Sequence, residues 1–352
     1  MTDRCNFRCA YCYQPRGSQS LDFYTFAKAM EFFYPLMAPG CFINYYGGEP
    51  LLAFNELKRT VEFAEWLDKA NAHKLRYSLT TNGSVLDDRI IEFLDEHGFS
   101  LTLSFDGLAQ DISRKNGSSN LLVSAIPKIL ARPGIVLETN SVFGPGTVHL
   151  LSGSVRYIIQ LGVKKLNINL AQEPDWTSTS LSVFIKEIDL VGDFFESRYE
   201  RLQDVPWATF YEETEKAIYG CPAGLSQMAL SAHGTLWGCA LFPHYFMDTD
   251  KTGGFCEYCF GDVDSFVKNP EAAYAQKAAN YSRLRMDRFS TPDRSCLMCD
   301  ELQQCWICPL AAALATGSIG EIPIWKCQEE MMLRNERKLL LKRFKERGRP
   351  TL

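Results

Sequence analysis

Three cysteines near the amino terminus have the types and spacing for redox chemistry. Cys5, Cys9 and Cys12 form a C-x3-C-x2-C motif, with Tyr11 directly before the last cysteine. Thiolates are the usual ligands of iron–sulfur clusters, and a cubic [4Fe–4S] cluster has four irons. Three thiolates would leave one iron without a protein ligand, and an open position lets a metal bind and polarise a small molecule. The spacing therefore predicts a reactive cluster.

A glycine pair and a carboxylate follow a predicted strand at residues 41–46, in the segment Gly47-Gly48-Glu49-Pro50. Glycines let the backbone approach a ligand closely, and either the Glu49 carboxylate or nearby carbonyls could accept from an ammonium group. The alternative is a plain strand-to-helix turn in which Pro50 ends the strand.

The carboxyl-terminal part is rich in cysteine, with nine of the thirteen cysteines beyond residue 205. Pairs with C-x2-C spacing occur at Cys256 and Cys259, Cys296 and Cys299, and Cys305 and Cys308. Such pairs hold either tetrahedral zinc or iron–sulfur clusters, so both remain open at this point.

The elements that must position these residues alternate between helix and strand. Helical patterns cover 21–37, 56–72, 86–96, 119–132 and 148–161, and strand patterns cover 41–46, 75–81, 101–105, 135–143 and 164–170. This alternation predicts parallel strands with helical crossovers, hence an α/β barrel or part of one, with its site at the carboxyl ends of the strands.

The predicted domains are 1–205 for the partial barrel, 206–330 for the cysteine-rich region and 331–352 for a carboxyl-terminal helix and tail. A longer helix at 180–202 precedes the first boundary, and a charged helix covers 327–347. No strand is recognisable before the cysteine triplet, so the barrel is expected to lack its first strand.

Composition narrows the function classes. The chain of 352 residues is 46% hydrophobic and 22% charged, as in ordinary globular proteins, and its net charge of −5 argues against nucleic-acid partners. Neither a secretory signal nor an apolar run of about 20 residues is present, so we expect a cytoplasmic protein without a membrane partner.

Together the motifs resemble the radical S-adenosylmethionine (radical SAM) superfamily. The resemblance rests on the triplet, Gly47-Gly48-Glu49-Pro50, Thr81-Asn82-Gly83 and Ser104-Phe105-Asp106-Gly107. It implies a partial (β/α)6-type radical SAM barrel in which Cys5, Cys9 and Cys12 hold a [4Fe–4S] cluster. The open iron would take the amino and carboxylate groups of S-adenosylmethionine. By position, Tyr11 would flank the adenine, Gly47, Gly48 and Glu49 would meet the amino group, and Ser104 and Arg114 would meet the carboxylate. A solvated loop arginine is the alternative for Arg114.

The cysteine-rich region resembles the SPASM-type extension of such enzymes, which binds two auxiliary [4Fe–4S] clusters and so brings the expected total to three. Its pattern is Cys221-x12-Gly234-x4-Cys239, then Cys296-x2-Cys299-x5-Cys305-x2-Cys308 and Cys327, with one residue fewer than usual between Cys305 and Cys308. The resemblance implies one cluster on Cys296, Cys299, Cys305 and Cys327, and another on Cys221, Cys239 and Cys308. The family sometimes supplies a fourth ligand for the second of these clusters between the first cysteine and the glycine, but residues 222–238 contain no cysteine. Cys256 and Cys259 would be the substitutes, or that cluster would be open to substrate.

The function implied by the resemblance is reductive cleavage of S-adenosylmethionine to a 5′-deoxyadenosyl radical, which abstracts hydrogen from a peptide or protein. The leading hypothesis is maturation of a ribosomally made peptide through a carbon–carbon, carbon–oxygen or thioether link, with an external flavodoxin- or ferredoxin-type electron donor. One alternative is an anaerobic sulfatase-maturating enzyme that makes formylglycine. Ala240 speaks against it, because that group has an aspartate there. Another is a non-catalytic iron–sulfur electron carrier, which would need neither an open iron nor the Gly-Gly-Glu-Pro segment.

Overall fold

The computed structural model describes residues 1–71, 73–171, 175–207, 218, 220–246, 255–285 and 289–346. The strands are β1 (Phe42–Tyr45), β2 (Arg76–Thr81), β3 (Ser100–Ser104), β4 (Val136–Phe143), β5 (Leu166–Leu170), β6 (Ala229–Leu230), β7 (Thr235–Trp237), β8 (Gly261–Asp262), β9 (Ser290–Thr291) and β10 (Arg294–Ser295). The helices are α1 (Phe23–Phe33), α2 (Phe54–Asn71), α3 (Asp88–Glu96), α4 (Gln110–Ser113), α5 (Ser118–Leu130), α6 (Leu151–Gln160), α7 (Ser178–Arg198), α8 (Leu241–Phe246), α9 (Val263–Lys268), α10 (Pro270–Ser282), α11 (Pro309–Thr316) and α12 (Ile324–Glu346).

The first half of the chain is built on an open sheet of five parallel strands. Its order is β1-β2-β3-β4-β5, so each strand pairs with its neighbours in sequence. Helices or helical turns connect successive strands, as parallel pairing requires. The predicted α/β class is confirmed, and all five predicted strands are present.

Local sequence explains where the helices of this half begin and which side they bury. Asp22 and Asp87 cap α1 and α3 by accepting from backbone amides three residues later. Thr177 and Ser180 form a capping box at the start of α7. In α3 the apolar residues Ile90, Ile91, Phe93 and Leu94 are all buried, so one face of the helix joins the core.

The cysteine-rich half has small sheets and its own apolar clusters. Strands β6, β7 and β8 form an antiparallel sheet, and β9 pairs with β10. One apolar cluster surrounds Tyr258, Phe242 and Tyr281, and a smaller one includes Phe289 and Ile307. Among the described residues, no helix combines the length and apolar character needed to cross a bilayer.

Helix α12 connects the two halves. It begins in the cysteine-rich region, yet Leu340 and Phe344 belong to the apolar core of the barrel. Near its end, Arg343 binds Asp189 and Asp193 of α7 at 2.6 and 2.8 Å. The predicted division between residues 330 and 331 therefore falls inside one continuous helix.

Candidate functional site

The loop that carries the cysteine triplet is fixed to the segment after β1 by backbone hydrogen bonds. Gly48 N donates to Thr2 O at 2.7 Å and Glu49 N donates to Arg4 O at 2.8 Å. A side chain at Gly47 or Gly48 would place its Cβ 2.6 Å from Thr2 O or 2.3 Å from Arg4 O. The glycine pair is thus needed for the close approach of the chain's own cysteine loop.

The three thiols of the triplet lie close together. Cys5 and Cys9 are partly buried, whereas Cys12 is exposed. Burial raises the pKa of Cys9 to about 11, Arg114 partly offsets this rise, and both other thiols add to it. Burial also raises the pKa of Cys5, whose Sγ lies 3.9 Å from Asn82 Nδ2. Since metal ligation requires thiolates, loading this site must release protons.

Asp106 connects the cysteine loop to the carboxyl ends of β3 and β4. Its carboxylate is fully buried and accepts from Arg114 Nε and Nη2, each at 2.9 Å, and from Tyr11 Oη at 2.9 Å. It also accepts from Ser113 Oγ and from Val142 N. Burial is the largest single influence and lowers the pKa of Arg114, but Asp106, Tyr11 and Cys9 together outweigh it and the pKa is raised.

Arg114 is therefore not a solvated loop residue, and that alternative is wrong. The Arg114 side chain is 6% exposed, and its Nη2 also donates to Asn140 O at 3.1 Å. Asp106 holds this guanidinium beside the triplet, because Cys9 is within electrostatic reach of both residues. The Arg114 guanidinium lies 5.4 Å from the centre of the Tyr11 ring.

Glu49 faces the protein interior. Its Oε1 accepts from Thr81 Oγ1 at 2.6 Å and from Leu51 N at 3.1 Å, and its Oε2 accepts from Asn82 N at 2.7 Å. The side chain is fully buried, and burial raises its pKa despite these three donors. Of the two predicted acceptors for an ammonium group, the geometry favours backbone carbonyls over this carboxylate.

Ser104 ends β3 in register with Asn140 of β4 and is buried. It lies two residues before Asp106 at the same sheet edge. Every predicted contact residue for S-adenosylmethionine thus belongs to the cysteine loop, or to the ends of β1 and β3 and the turns that follow them.

A second group of four thiols lines one cavity in the cysteine-rich half. The cavity measures ≈ 440 Å³ with its open mouth, and Cys296, Cys299, Cys305 and Cys327 all face it. Burial raises the pKa of Cys305 to about 11. Its wall also contains Arg294, Glu330 and Arg334.

A third group contains Cys221, Cys239 and Cys308. Burial raises the pKa of Cys239 to about 11, and the other two thiols add to the rise, so the three lie close together. Cys259 packs on the same apolar cluster as these thiols. The side chain of Cys256, the other predicted substitute ligand, lies outside the described structure.

Zinc ions and iron–sulfur clusters both bind thiolates, but they need different arrangements of the sulfur atoms. Zinc needs its ligand atoms to meet at one point, about 2.3 Å from each sulfur. In the described part of the chain, no three Cys, His, Asp or Glu side chains meet in this way. Thiols spread around a cavity suit a cluster, because each thiolate binds a different iron.

Tyr46 lies within electrostatic reach of both the triplet and the third group of thiols. Burial raises the pKa of its hydroxyl, and both Cys12 and Cys239 add to the rise. The Tyr46 and Tyr13 hydroxyls hydrogen-bond to each other at 2.7 Å. A nearby hydrogen bond joins the two halves, with Asp3 Oδ2 2.7 Å from His233 Nε2.

Comparison with known proteins agrees with this geometry. The model of the Radical SAM superfamily matches residues 1–148. The uncharacterized protein MJ0907 of Methanocaldococcus jannaschii is 30% identical over 199 residues, which are 54% of this chain and 67% of that protein. The chain belongs to the radical SAM superfamily.

Other radical SAM relatives are more distant. The radical SAM cyclopropyl synthase TigE of Paramaledivibacter caminithermalis is 22% identical over 73% of this chain and 60% of its own length. A cysteine-type anaerobic sulfatase-maturating enzyme of Clostridium novyi is 26% identical over 37% of this chain and 38% of its own length. The chain thus spans about two thirds or less of these curated relatives.

Solved structures share the fold over almost the whole chain. Native anSMEcpe with bound AdoMet superposes with a TM-score of 0.76 and 16% identity, covering 98% of this chain and 97% of that one. SuiB of Streptococcus suis, bound to precursor peptide SuiA, superposes with a TM-score of 0.61 and 14% identity. This match covers 93% of this chain and 74% of the SuiB chain. The radical SAM fold with a cysteine-rich carboxyl-terminal half is therefore established.

Sequence reasoning gave no role to three residues of these radical SAM sites. Asp106 entered only as a member of the Ser104-Phe105-Asp106-Gly107 motif just beyond a strand, with no contact assigned to it. Arg334 lies seven residues after Cys327, a spacing that puts both on one helix face. Tyr281 left no signal, because its hydroxyl acts on backbone groups 23 and 43 residues away.

Proposed function

We propose that this radical SAM protein is an enzyme that abstracts a hydrogen atom from a peptide or protein substrate. The observation that carries the proposal is the position of Tyr46, within electrostatic reach of both Cys12 and Cys239. A substrate at this edge of the sheet would lie beside the first cluster and near an auxiliary one. The chemistry that the first cluster and S-adenosylmethionine supply when bound is one-electron cleavage of the sulfonium and hydrogen-atom abstraction.

The chain's own residues would hold the cofactor at the ends of β1 and β3. We assign the cluster to Cys5, Cys9 and Cys12, and the amino group to backbone carbonyls near Gly47 and Gly48. Asp106 and Asn140 engage Nε and Nη2 of Arg114, which leaves Nη1 for the cofactor carboxylate, beside Ser104. Glu49 would support this site indirectly, because its Oε2 accepts from Asn82 N and so holds the start of the turn after β2. Tyr11 would meet the adenine.

Three clusters are the proposed complement of the chain. The cavity lined by Cys296, Cys299, Cys305 and Cys327 would take one auxiliary cluster, and Cys221, Cys239 and Cys308 would hold another. When bound by these thiols, the auxiliary clusters would supply a place for an electron from the substrate or an anchor for it. An external flavodoxin or ferredoxin would reduce the first cluster.

Cys259 is the proposed fourth ligand of the cluster assigned to Cys221, Cys239 and Cys308. The contacts of the Tyr281 hydroxyl support this assignment. This hydroxyl accepts from Gly238 N at 2.6 Å and donates to Tyr258 O at 2.7 Å. The residues that directly precede Cys239 and Cys259 are therefore bound to the same oxygen atom. Gly224 N also donates to Gly238 O at 3.2 Å, which brings the segment after Cys221 to the same place.

EPR spectroscopy tests this ligand. After anaerobic reconstitution, Cys259→Ser should alter the EPR signal of one auxiliary cluster, whereas Cys41→Ser, which changes a cysteine outside all three groups, should not. An unchanged signal in Cys259→Ser together with a changed one in Cys256→Ser would move the assignment to Cys256.

The proposed substrate class is a ribosomally made peptide that receives a carbon–carbon, carbon–oxygen or thioether link. Support comes from relatives of the same fold that have been crystallised with peptides, namely anSMEcpe with the Kp18Cys peptide and SuiB with SuiA. Formylglycine formation is the second candidate, favoured by the match to the sulfatase-maturating enzyme. Formylglycine formation ranks below peptide cross-linking because this chain has Ala240 where the sulfatase-maturating group has an aspartate.

The reaction itself is tested without knowing the substrate. The reconstituted protein should contain about twelve irons if three four-iron clusters form. With dithionite and S-adenosylmethionine it should release 5′-deoxyadenosine, Cys12→Ala should release none, and Cys41→Ala should match the parent. A fully loaded parent protein without 5′-deoxyadenosine would be an electron carrier, and the proposal would be wrong.

A further inference from the structure

One wall of the cavity formed by Cys296, Cys299, Cys305 and Cys327 is a single face of helix α12. Cys327, Glu330 and Arg334 all line the cavity and are spaced by three and four residues, as neighbours on one helix face are. Arg334 is 8% exposed, so its charge is buried beside the thiols.

The guanidinium of Arg334 is held in place by oxygen atoms on one side. Nη1 donates to Glu301 O at 3.1 Å and to Glu301 Oε2 at 3.3 Å, and Nη2 donates to Glu330 Oε1 at 3.2 Å. Glu330 Oε1 also accepts from Trp306 N, directly after Cys305, at 3.1 Å. The orientation of the Arg334 fork is therefore coupled to the backbone that carries Cys305.

The third donor of this guanidinium is buried without a hydrogen-bond partner. Arg334 Nε is one of two side-chain atoms in the described part of the chain with this property. Buried donors in folded proteins almost always have a partner, so an unpaired one needs an explanation. Cys305 is within electrostatic reach of Arg334, and the four thiols line the space next to it.

We propose that Arg334 Nε donates a hydrogen bond to a sulfur of an iron–sulfur cluster in this cavity and thereby raises the reduction potential of that cluster. The proposal rests on the cluster assignment made above. Hydrogen bonds to the sulfurs and nearby charge set the potential of such clusters. Reduction adds negative charge, which a buried cation and an N–H donor both stabilise.

Arg334 is a positioning and tuning residue in this scheme, and its neighbours do not duplicate its effect. Arg294 hydrogen-bonds Cys327 on another wall but is exposed, so solvent and salt screen its charge. Lys338 binds Glu301 at 2.8 Å and is half-exposed. The carboxylates Glu301 and Glu330 bear the opposite charge, which leaves the Nε–H···S contact as the specific contribution of Arg334.

The test measures the potentials of the auxiliary clusters. In the full-length chain, replacing Cys5, Cys9 and Cys12 with Ala leaves only the auxiliary clusters to give EPR signals, and the iron content should be about eight. Arg334→Lys keeps the charge without Nε–H, and Arg334→Met removes both. An anaerobic EPR-monitored redox titration should show one midpoint potential shifted to more negative values in both variants, further in Arg334→Met.

Arg343→Lys on the same helix is the control, because Arg343 contacts Asp189 and Asp193 of α7. It should leave both potentials unchanged. In the chain that lacks the triplet cysteines, equal potentials with and without Arg334→Lys, at about eight irons in each protein, would overturn the proposal. Loss of iron from both Arg334 variants, with Arg343→Lys fully loaded, would also overturn it, because Arg334 would then serve to retain the cluster. Zinc in place of iron in this cavity would also overturn the proposal, because no cluster would be present to accept the hydrogen bond. Release of 5′-deoxyadenosine by the parent chain tests the proposed function separately.

Discussion

Buried carboxylates decide the shape of the radical SAM site at the residue scale. Asp106 and Glu49 are both fully buried, and each accepts several hydrogen bonds from the segments around it. The donors that these two carboxylates accept from all belong to the chain itself. The carboxylates fix the groups that could contact a ligand, namely Arg114 and Tyr11 through Asp106, and the turn after β2 through Glu49.

Asp106→Asn should lower the free energy of unfolding by about 3–5 kcal/mol, because it leaves the buried charge of Arg114 without its counter-ion. Denaturant unfolding of the variant and the parent measures this difference. The matched control is Glu62→Gln, which breaks a half-exposed ion pair with Lys58 and should change stability by less than about 1 kcal/mol. Similar small changes in both variants would show that the Asp106 pair is not a structural contact.

Glu49 should make stability depend on pH. Burial raises its folded-state pKa above the unfolded value of about 4.3, so the folded state binds the proton more tightly. The contribution is complete below the unfolded pKa and is lost as pH rises through the folded one. As pH rises from the unfolded value through the folded one, the free energy of unfolding should fall more steeply for the parent than for Glu49→Gln. Urea unfolding across this range measures the slopes, and parallel curves would contradict the prediction.

At the element scale, hydrophobic periodicity was sufficient to predict the helices and strands of the barrel half but not those of the cysteine-rich half. Strands such as β4, with its alternating burial, and helices such as α3 are long enough to carry a readable period. Strands β6, β8, β9 and β10 have two residues each, which carry no period. The thiol groups could be proposed from spacing and resemblance, whereas the contacts of Asp106, Tyr281 and Arg334 depend on tertiary placement.

Tyr281 organises the cysteine-rich elements through close packing against glycine. A Cβ at Gly238 would lie 2.3 Å from the Tyr281 ring and 2.4 Å from Gly224 N. Gly238→Ala should therefore cost about 1–3 kcal/mol of stability through overpacking and lower the iron content, because Cys239 follows directly. Calorimetry and iron analysis measure the two effects.

The control for this glycine is Gly146→Ala, at an exposed position where a Cβ would meet nothing within 4 Å. That change should leave stability the same or raise it slightly, since Ala restricts the unfolded chain. A Gly238→Ala protein as stable and as iron-rich as Gly146→Ala would disprove the role of the Tyr281 contact.

At the scale of the whole molecule, α12 makes the two halves interdependent. The helix carries Cys327 and Arg334 at the thiol cavity, and Leu340 and Phe344 in the barrel core. The Asp3–His233 pair and the position of Tyr46 join the halves again near the triplet. We therefore expect a perturbation at one end of α12 to be felt at the other.

Phe344→Ala tests this coupling, because Phe344 is fully buried in the barrel core, about 25 Å along the helix from Cys327 at 1.5 Å per residue. The void left by the missing ring should lower the free energy of unfolding by about 3–5 kcal/mol. The loss of cluster absorbance and the loss of helical circular dichroism should then shift together to lower denaturant concentrations. Leu339→Ala, earlier on the same helix but 47% exposed, should shift neither. If Phe344→Ala moved the circular dichroism transition alone, the cysteine-rich half would unfold independently, and α12 would be a tether without mechanical coupling.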